Sequence, residues 1–172
     1  MGNVTLVIGG VRSGKSALAV EMGRRHDGDV VMIATAEPFD DDMRDRIARH
    51  QSDRPGWPTV EAPLDLDAAI AGAPADALLI VDCITVWVAN VLHHRGDVDP
   101  TGVVSALHER RGPSVVITNE VGLGVHPETD LGRRYRDDLG RANQLIAAVA
   151  TTTLLMVAGK ALRLEDPWKE LS

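Results

Sequence analysis

Residues 9–16 read GGVRSGKS, and they match the pattern G-x-x-x-x-G-K-[ST]. A short apolar run, residues 4–8, comes just before them, and a helix-like stretch, residues 15–25, begins within them. The glycines let the backbone curl so that successive N–H groups converge on phosphate oxygens. The helix opening near Lys15 adds the positive end of its dipole. In such a cradle Lys15 reaches the β- and γ-phosphates and Ser16 ligates Mg²⁺. A chance match is expected in about 1% of chains of this length or fewer. Gly9, Gly10, Val11, Arg12, Ser13, Gly14, Lys15 and Ser16 are therefore candidate nucleotide-binding residues, with Lys15 also a candidate catalytic residue.

Four further apolar runs follow, at residues 30–34, 77–81, 115–118 and 154–157. Each is nearly continuous and lacks period-2 alternation, as in strands buried on both faces of a parallel sheet. Helix-like stretches separate them, at residues 40–51, 66–71, 85–93, 101–111 and 131–150. Strand and helix alternate, so the expected class is α/β: a P-loop NTPase (RecA-like) three-layer fold with a mainly parallel central sheet. The whole chain, 1–172, reads as a single P-loop nucleotide-binding domain. The Pro/Gly-rich stretches 54–58 and 95–100 read as turns or loops, and residues 165–172 as a polar, loosely held tail.

Composition excludes several classes. A chain of 172 residues with 44% hydrophobic content can bury a core of its own. No apolar run approaches the roughly 20 residues of a membrane-spanning helix. No charged region followed by an apolar one precedes residue 4, so no signal peptide is expected. Cys83 is the only cysteine, so no intrachain disulfide forms and a cytoplasmic location is expected. A formal net charge of −7 and few aromatics argue against a nucleic-acid partner. The pairs Arg24-Arg25 and Arg110-Arg111 read as solvated helix faces.

In open α/β sheets, ligands sit beyond the carboxyl ends of the strands. The run 78–81 ends in Asp82, an acid suited to holding Mg²⁺ directly or through water. A helix-capping acid ahead of Thr85 is the other reading. The second run leads into Thr35, Ala36 and Glu37, and the fourth into Asn119 and Glu120. Within residues 40–54, Met43, Ile47 and His50 share one helical face, with Arg46 and Arg54 one turn to either side of His50. A neutral imidazole held between two arginines stays unprotonated and nucleophilic near neutral pH, and the arginines stabilise added phosphoryl charge. A half-buried, hydrogen-bonded helix histidine is the plainer reading of the pattern.

Five stretches together resemble one family. They are GGVRSGKS (9–16), IATAEPFDDDMRDRIARHQSDRPGWPTVEAP (33–63), LLIVDCITVWVANVL (78–92), VITNEVGLGVHP (116–127) and RRYRDDLGRANQ (133–144). The chain resembles the bifunctional adenosylcobinamide kinase / adenosylcobinamide-phosphate guanylyltransferases of cobalamin biosynthesis. The resemblance implies two reactions. ATP or GTP phosphorylates the aminopropanol hydroxyl of adenosylcobinamide, and GMP is then transferred from GTP through a guanylyl-histidine. The motif R-I-x-x-H-x-x-x-R falls here on Arg46, Ile47, His50 and Arg54, which makes His50 the implied nucleophile. The implied nucleotide contacts are the cradle, Ala34, Thr35 and Ala36, then Gln51, Ser52, Asp53 and Arg54, and finally Glu61 and Asp82. Glu61 has the chemistry to accept from guanine N1–H and N2–H₂, or it is a surface glutamate. GTP, ATP and Mg²⁺ are the implied cofactors, and a homo-oligomer, a trimer, the implied assembly. Arg133, Arg136, Asp137, Asn143 and Gln144 share one long helix: they either contact substrate or another subunit or, as the spacing of Arg133 and Asp137 allows, simply pair. The stretch between Asn90 and Asn119 is shorter than the resemblance implies. Two other readings of the residues are a single-activity P-loop small-molecule kinase and a non-catalytic nucleotide switch.

Overall fold

The apolar runs form the interior of one sheet. The computed structural model describes residues 2–37 and 55–170. Its strands are β1 (Val4–Gly9), β2 (Val30–Ala34), β3 (Thr59–Glu61), β4 (Leu78–Asp82), β5 (Ser114–Asn119), β6 (Thr152–Val157) and β7 (Lys160–Leu164). They lie in the order β3-β2-β4-β5-β1-β6-β7. All neighbours are parallel except β6 and β7. The helices are α1 (Lys15–Arg24), α2 (Leu66–Gly72), α3 (Ile84–Arg95), α4 (Thr101–Glu109), α5 (Asp130–Val149) and the single turn α6 (Pro167–Glu170). The helix expected over 40–51 lies outside the described residues.

Alternation within each strand divides the core in two. Leu6, Ile33, Leu79, Val81 and Val116 pack with Leu66, Val88, Leu107, Leu139 and Ile146, from α2 to α5. Val7, Met32, Ile80, Val115 and Ile117 pack on the other side with Ala19, Leu18 and Met22 of α1 and with Trp57. Burial on both faces is why these strands read as continuous apolar runs. Trp57 lies so close to α1 that a Cβ on Gly23 would stand 2.4 Å from its ring. Glycine at this point of α1 is a packing requirement, and it lets the turn after residue 54 close onto the helix.

Two strands carry no such signal. β3 is three exposed residues behind Pro58, held at the sheet edge by β2. β7 is exposed along its length and returns from β6 through Ala158 and Gly159, at φ 50° and 73°. Two consecutive positive-φ residues form the two-residue turn that fits a right-twisted hairpin. The short stretch after Asn90 still carries a complete helix, α4.

Two expectations need correction. Arg110 is not on a solvated helix face: it follows α4 and is only 7% exposed. Its guanidinium donates to the carbonyls of Ala73 and Pro74 at 3.3 and 2.7 Å, and to that of Ala77. A buried charge is tolerated there because carbonyls at the end of α2 need donors. Arg133 does not pair with Asp137. It pairs with Asp130 and donates to the carbonyls of Pro127 and Glu128 at 2.9 and 2.8 Å, while Asp137 pairs with Arg136. The carbonyls of the loop ahead of α5 outcompete the next helical turn for this fork of donors.

Candidate active site

Parallel strands bring the ends of β1, β2, β4 and β5 to one edge of the sheet. There β1 gives way to the loop of residues 9–16. Arg12 at φ 57° and Gly14 at φ 102° turn the chain into α1. Gly14 is the N-cap of α1 and offers no side chain to the first-turn N–H groups, so these donors can take an anion.

Lys15 is buried within this loop. Its ammonium donates to the Gly10 carbonyl at 2.6 Å and to Ser13 Oγ at 3.3 Å. Burial holds its pKa below the ordinary lysine value, against the opposing pull of Cys83 and Asp82. Lys15 and Asp82 therefore act on one another across the site. Val11 and Arg12 are exposed at the loop's tip, and Ser16 is half-buried on the first turn of α1.

The β6–β7 turn supports the loop from outside. Gly159 N–H donates to the Ser13 carbonyl at 2.9 Å, and a Cβ on Gly14 would stand 3.3 Å from Gly159 Cα. Nothing in residues 158–159 suggests this buttress, since its partner lies more than a hundred residues away.

Asp82, Ala34 and Glu61 form one row. Ala34 is in register with Glu61 on one side and with Asp82 on the other. Strands about 4.8 Å apart put Glu61 roughly 10 Å from Asp82, on the same face of the sheet. Glu61 is exposed there.

Thr35 is fully buried and its hydroxyl is committed. It donates to the Cys83 carbonyl at 2.8 Å and accepts from Cys83 N–H at 2.9 Å. Asn90 of α3 donates to the Thr35 carbonyl at 2.7 Å and to that of Pro63 at 3.3 Å. This clamp fixes the chain just after Asp82 and just after Ala34. Ala36 is half-buried beyond it, and Glu37 pairs with His94 at 2.9 Å. His50, Gln51, Ser52, Asp53 and Arg54 lie outside the described residues, as do Arg46 and Ile47.

A family model described as "Cobinamide kinase / cobinamide phosphate guanyltransferase" matches residues 5–164. The chain belongs to this family.

The match begins one residue inside β1 and stops at the end of β7, short of the α6 turn. A bifunctional adenosylcobalamin biosynthesis protein CobP from Pseudomonas aeruginosa is 39% identical over 166 residues, covering 93% of this chain and 96% of that one. CobU proteins with the same description from Escherichia coli and Salmonella typhimurium are 36% and 39% identical, each covering 93% of this chain and 98% of its own. Among solved structures, the flagellar accessory protein FlaH of Methanocaldococcus jannaschii aligns with TM-score 0.53 at 13% identity, covering 95% of this chain and 78% of that one. A prototypical ATPase from a bacterial type III secretion system aligns with TM-score 0.52 at 11% identity, covering 99% of this chain and 54% of that one. Such distant likeness shows the fold alone, that of a P-loop NTPase.

In this cobinamide kinase / guanyltransferase family member, a second polar cluster adjoins the cradle from the opposite face of the sheet. Thr118 donates to Asn143 Oδ1 at 2.7 Å, and Asn143 Nδ2 donates to the Asn119 carbonyl at 3.1 Å. Asn119 N–H donates to Thr85 Oγ1 at 2.6 Å. The sequence singled out Asn119 and Asn143 separately. Thr85 and Thr118 carried no signal beyond their places after a strand and at a strand's end. No helix among the described residues is long and apolar enough to cross a membrane.

Proposed function

We propose that this chain carries out both reactions for which its family is described. It phosphorylates the aminopropanol hydroxyl of adenosylcobinamide with ATP or GTP, then converts the phosphate to adenosylcobinamide-GDP by transfer of GMP from GTP. The observation that carries the reading is the cradle of residues 9–16, whose buried Lys15 lies within the electrostatic reach of Asp82. Membership of the family selects these two reactions from the many that P-loops serve.

In the first step the substrate hydroxyl oxygen forms a bond to the γ-phosphorus as the bond to the β-phosphate oxygen breaks, and the hydroxyl proton is released to solvent. Lys15 and the loop N–H groups stabilise charge on the transferring group, and little other covalent work is required of the protein. In the second step His50 forms a P–N bond to the α-phosphorus of GTP and pyrophosphate leaves. The phosphate of adenosylcobinamide phosphate then attacks that phosphorus, the P–N bond breaks, and His50 is free again. Arg46 and Arg54 stabilise charge around the guanylyl group. Glu61 accepts from the guanine edge, a role supported by its place about one nucleoside's length along the row from Asp82. Ala34, Thr35 and Ala36 contribute backbone at the nucleotide, and Gln51, Ser52 and Asp53 lie beside His50 in sequence.

The donor set suits Mg²⁺: a hydroxyl on Ser16 and a carboxylate on Asp82 are hard oxygen ligands, and this ion keeps several waters and phosphate oxygens as its remaining partners. Bound there, it would neutralise phosphate charge as the leaving group departs.

The enzyme works in the cytoplasm as one domain and assembles as a homo-oligomer, a trimer. Exposed Val157, Leu162 and Trp168 near the β7 edge support self-association. Purified protein given adenosylcobinamide, ATP and GTP should yield first a phosphate and then a GDP ester by mass spectrometry. Phosphate alone would leave a single-activity kinase, and neither product would leave a nucleotide switch.

A further inference from the structure

We propose that Asn119 contacts the terminal phosphate of a triphosphate held on residues 9–16, and that Thr85, Thr118 and Asn143 position it. The inference rests on the nucleotide-binding part of the reading above. Strand alternation sets the direction of the side chain. Val115 and Ile117 pack on the α1 side of the sheet and Val116 on the other. Thr118 therefore turns away from α1, as its bond to Asn143 of α5 requires, and Asn119 turns toward α1 and the cradle.

The same alternation puts Asp82 on the α1 side, after Leu78 and Ile80. Asp82 is in register with Ile117. Asn119 thus stands two residues, roughly 7 Å, farther along the same face on the next strand. On its other side it is in register with Gly9, and the Glu120 N–H donates to the Gly9 carbonyl at 3.2 Å. β5 is the strand wedged between the cradle strand β1 and the Asp82 strand β4. Its end lies beneath the outer part of any phosphate chain running from the loop toward Asp82.

The backbone of Asn119 is fixed from the opposite face by Thr85 and Asn143, and Thr85, Thr118 and Asn143 are all buried. Its own amide makes no hydrogen bond among the described residues. A neutral N–H donor held in this way adds a contact to a terminal phosphate oxygen without adding negative charge beside Asp82.

The test is a calorimetric comparison of two probes, GDP and the α,β-methylene analogue of GTP, on the full chain with no corrinoid present. Asn119→Ala should lower the preference for the triphosphate by about tenfold or more while leaving GDP affinity unchanged. The isosteric Asn119→Asp should lower it further, because its charge repels the phosphate. Thr85→Ala should lower the preference in the same direction, and Thr85→Ser should restore it. A merely structural role would weaken both nucleotides equally. An unchanged preference in both Asn119 variants, or equal weakening of both probes, would overturn the proposal alone. Failure of the wild type to bind either probe would overturn the cradle reading with it.

Discussion

Replacing Lys15 by methionine should separate what this side chain does for the fold from what it does for the ligand. Lys15 is only 7% exposed, and its ammonium donates to the Gly10 carbonyl and Ser13 Oγ. Its burial lowers its pKa, so the charge costs free energy in the empty loop. Methionine fills nearly the same volume without the charge, and the exposed Gly10 can turn its carbonyl to water. Loss of two hydrogen bonds and relief of desolvation oppose each other. The free variant should therefore melt within about 2–4 °C of the parent, the equivalent of about 1 kcal/mol for a domain of this size. With nucleotide the balance changes. GTP at 100 times its Kd stabilises the parent by about 2.7 kcal/mol, a rise of roughly 5–11 °C. A lost charge-assisted phosphate contact of about 3 kcal/mol raises Kd roughly a hundredfold. At the same GTP concentration the gain then falls to about 0.4 kcal/mol, near 1 °C. Thermal melting with and without GTP reads both numbers, and kinase turnover should fall on the order of 10³-fold or more. A free variant melting more than about 8 °C low, or an undiminished GTP shift, would refute the reasoning.

Asn90→Ala removes the donor shared by the Thr35 and Pro63 carbonyls at a site 1% exposed. It should destabilise the chain by about 1–3 kcal/mol in urea denaturation and weaken GTP binding, since the clamp behind Asp82 loosens. Asn90→Asp, which cannot donate, should be no better. Burial first, and then the charge of Asp82, raise the Cys83 thiol from 9.0 to about 11. At pH 8 its thiolate fraction should be about a hundredfold below that of the denatured chain, so alkylation by iodoacetamide is slow. The alkylation rate should climb with pH toward a midpoint near 11, whereas a midpoint near 9 would contradict the buried setting. Between pH 9 and 11 the unfolded chain gives up this proton first, so stability should fall as pH rises through that window.

What the sequence disclosed depended on how local the physics was. The cradle was legible because backbone curvature and a reaching cation demand Gly14 and Lys15 at fixed spacing. The strands through Val7, Ile33, Ile80 and Val116 were legible because burial on both faces leaves no room for polar residues. β7 was not, since Lys160, Arg163 and their neighbours are exposed and Ala158 is an unusual residue for a positive-φ turn. Arg110 looked like surface because its carbonyl partners lie more than thirty residues upstream. The polar cluster around Asn119 joins a strand end to two helices through bonds spanning 24, 25 and 34 positions, and no local pattern announces such a meeting.

The most direct test of the two-step reading is covalent. The protein is incubated with GTP labelled at the α-phosphate, denatured, and assayed for retained label. A guanylyl-histidine should hold the label through base and release it in acid, and His50→Ala should hold none while still binding GTP. Label retained on His50→Ala would contradict the assignment of this histidine, and an unlabelled wild type would contradict the guanylyl-enzyme itself.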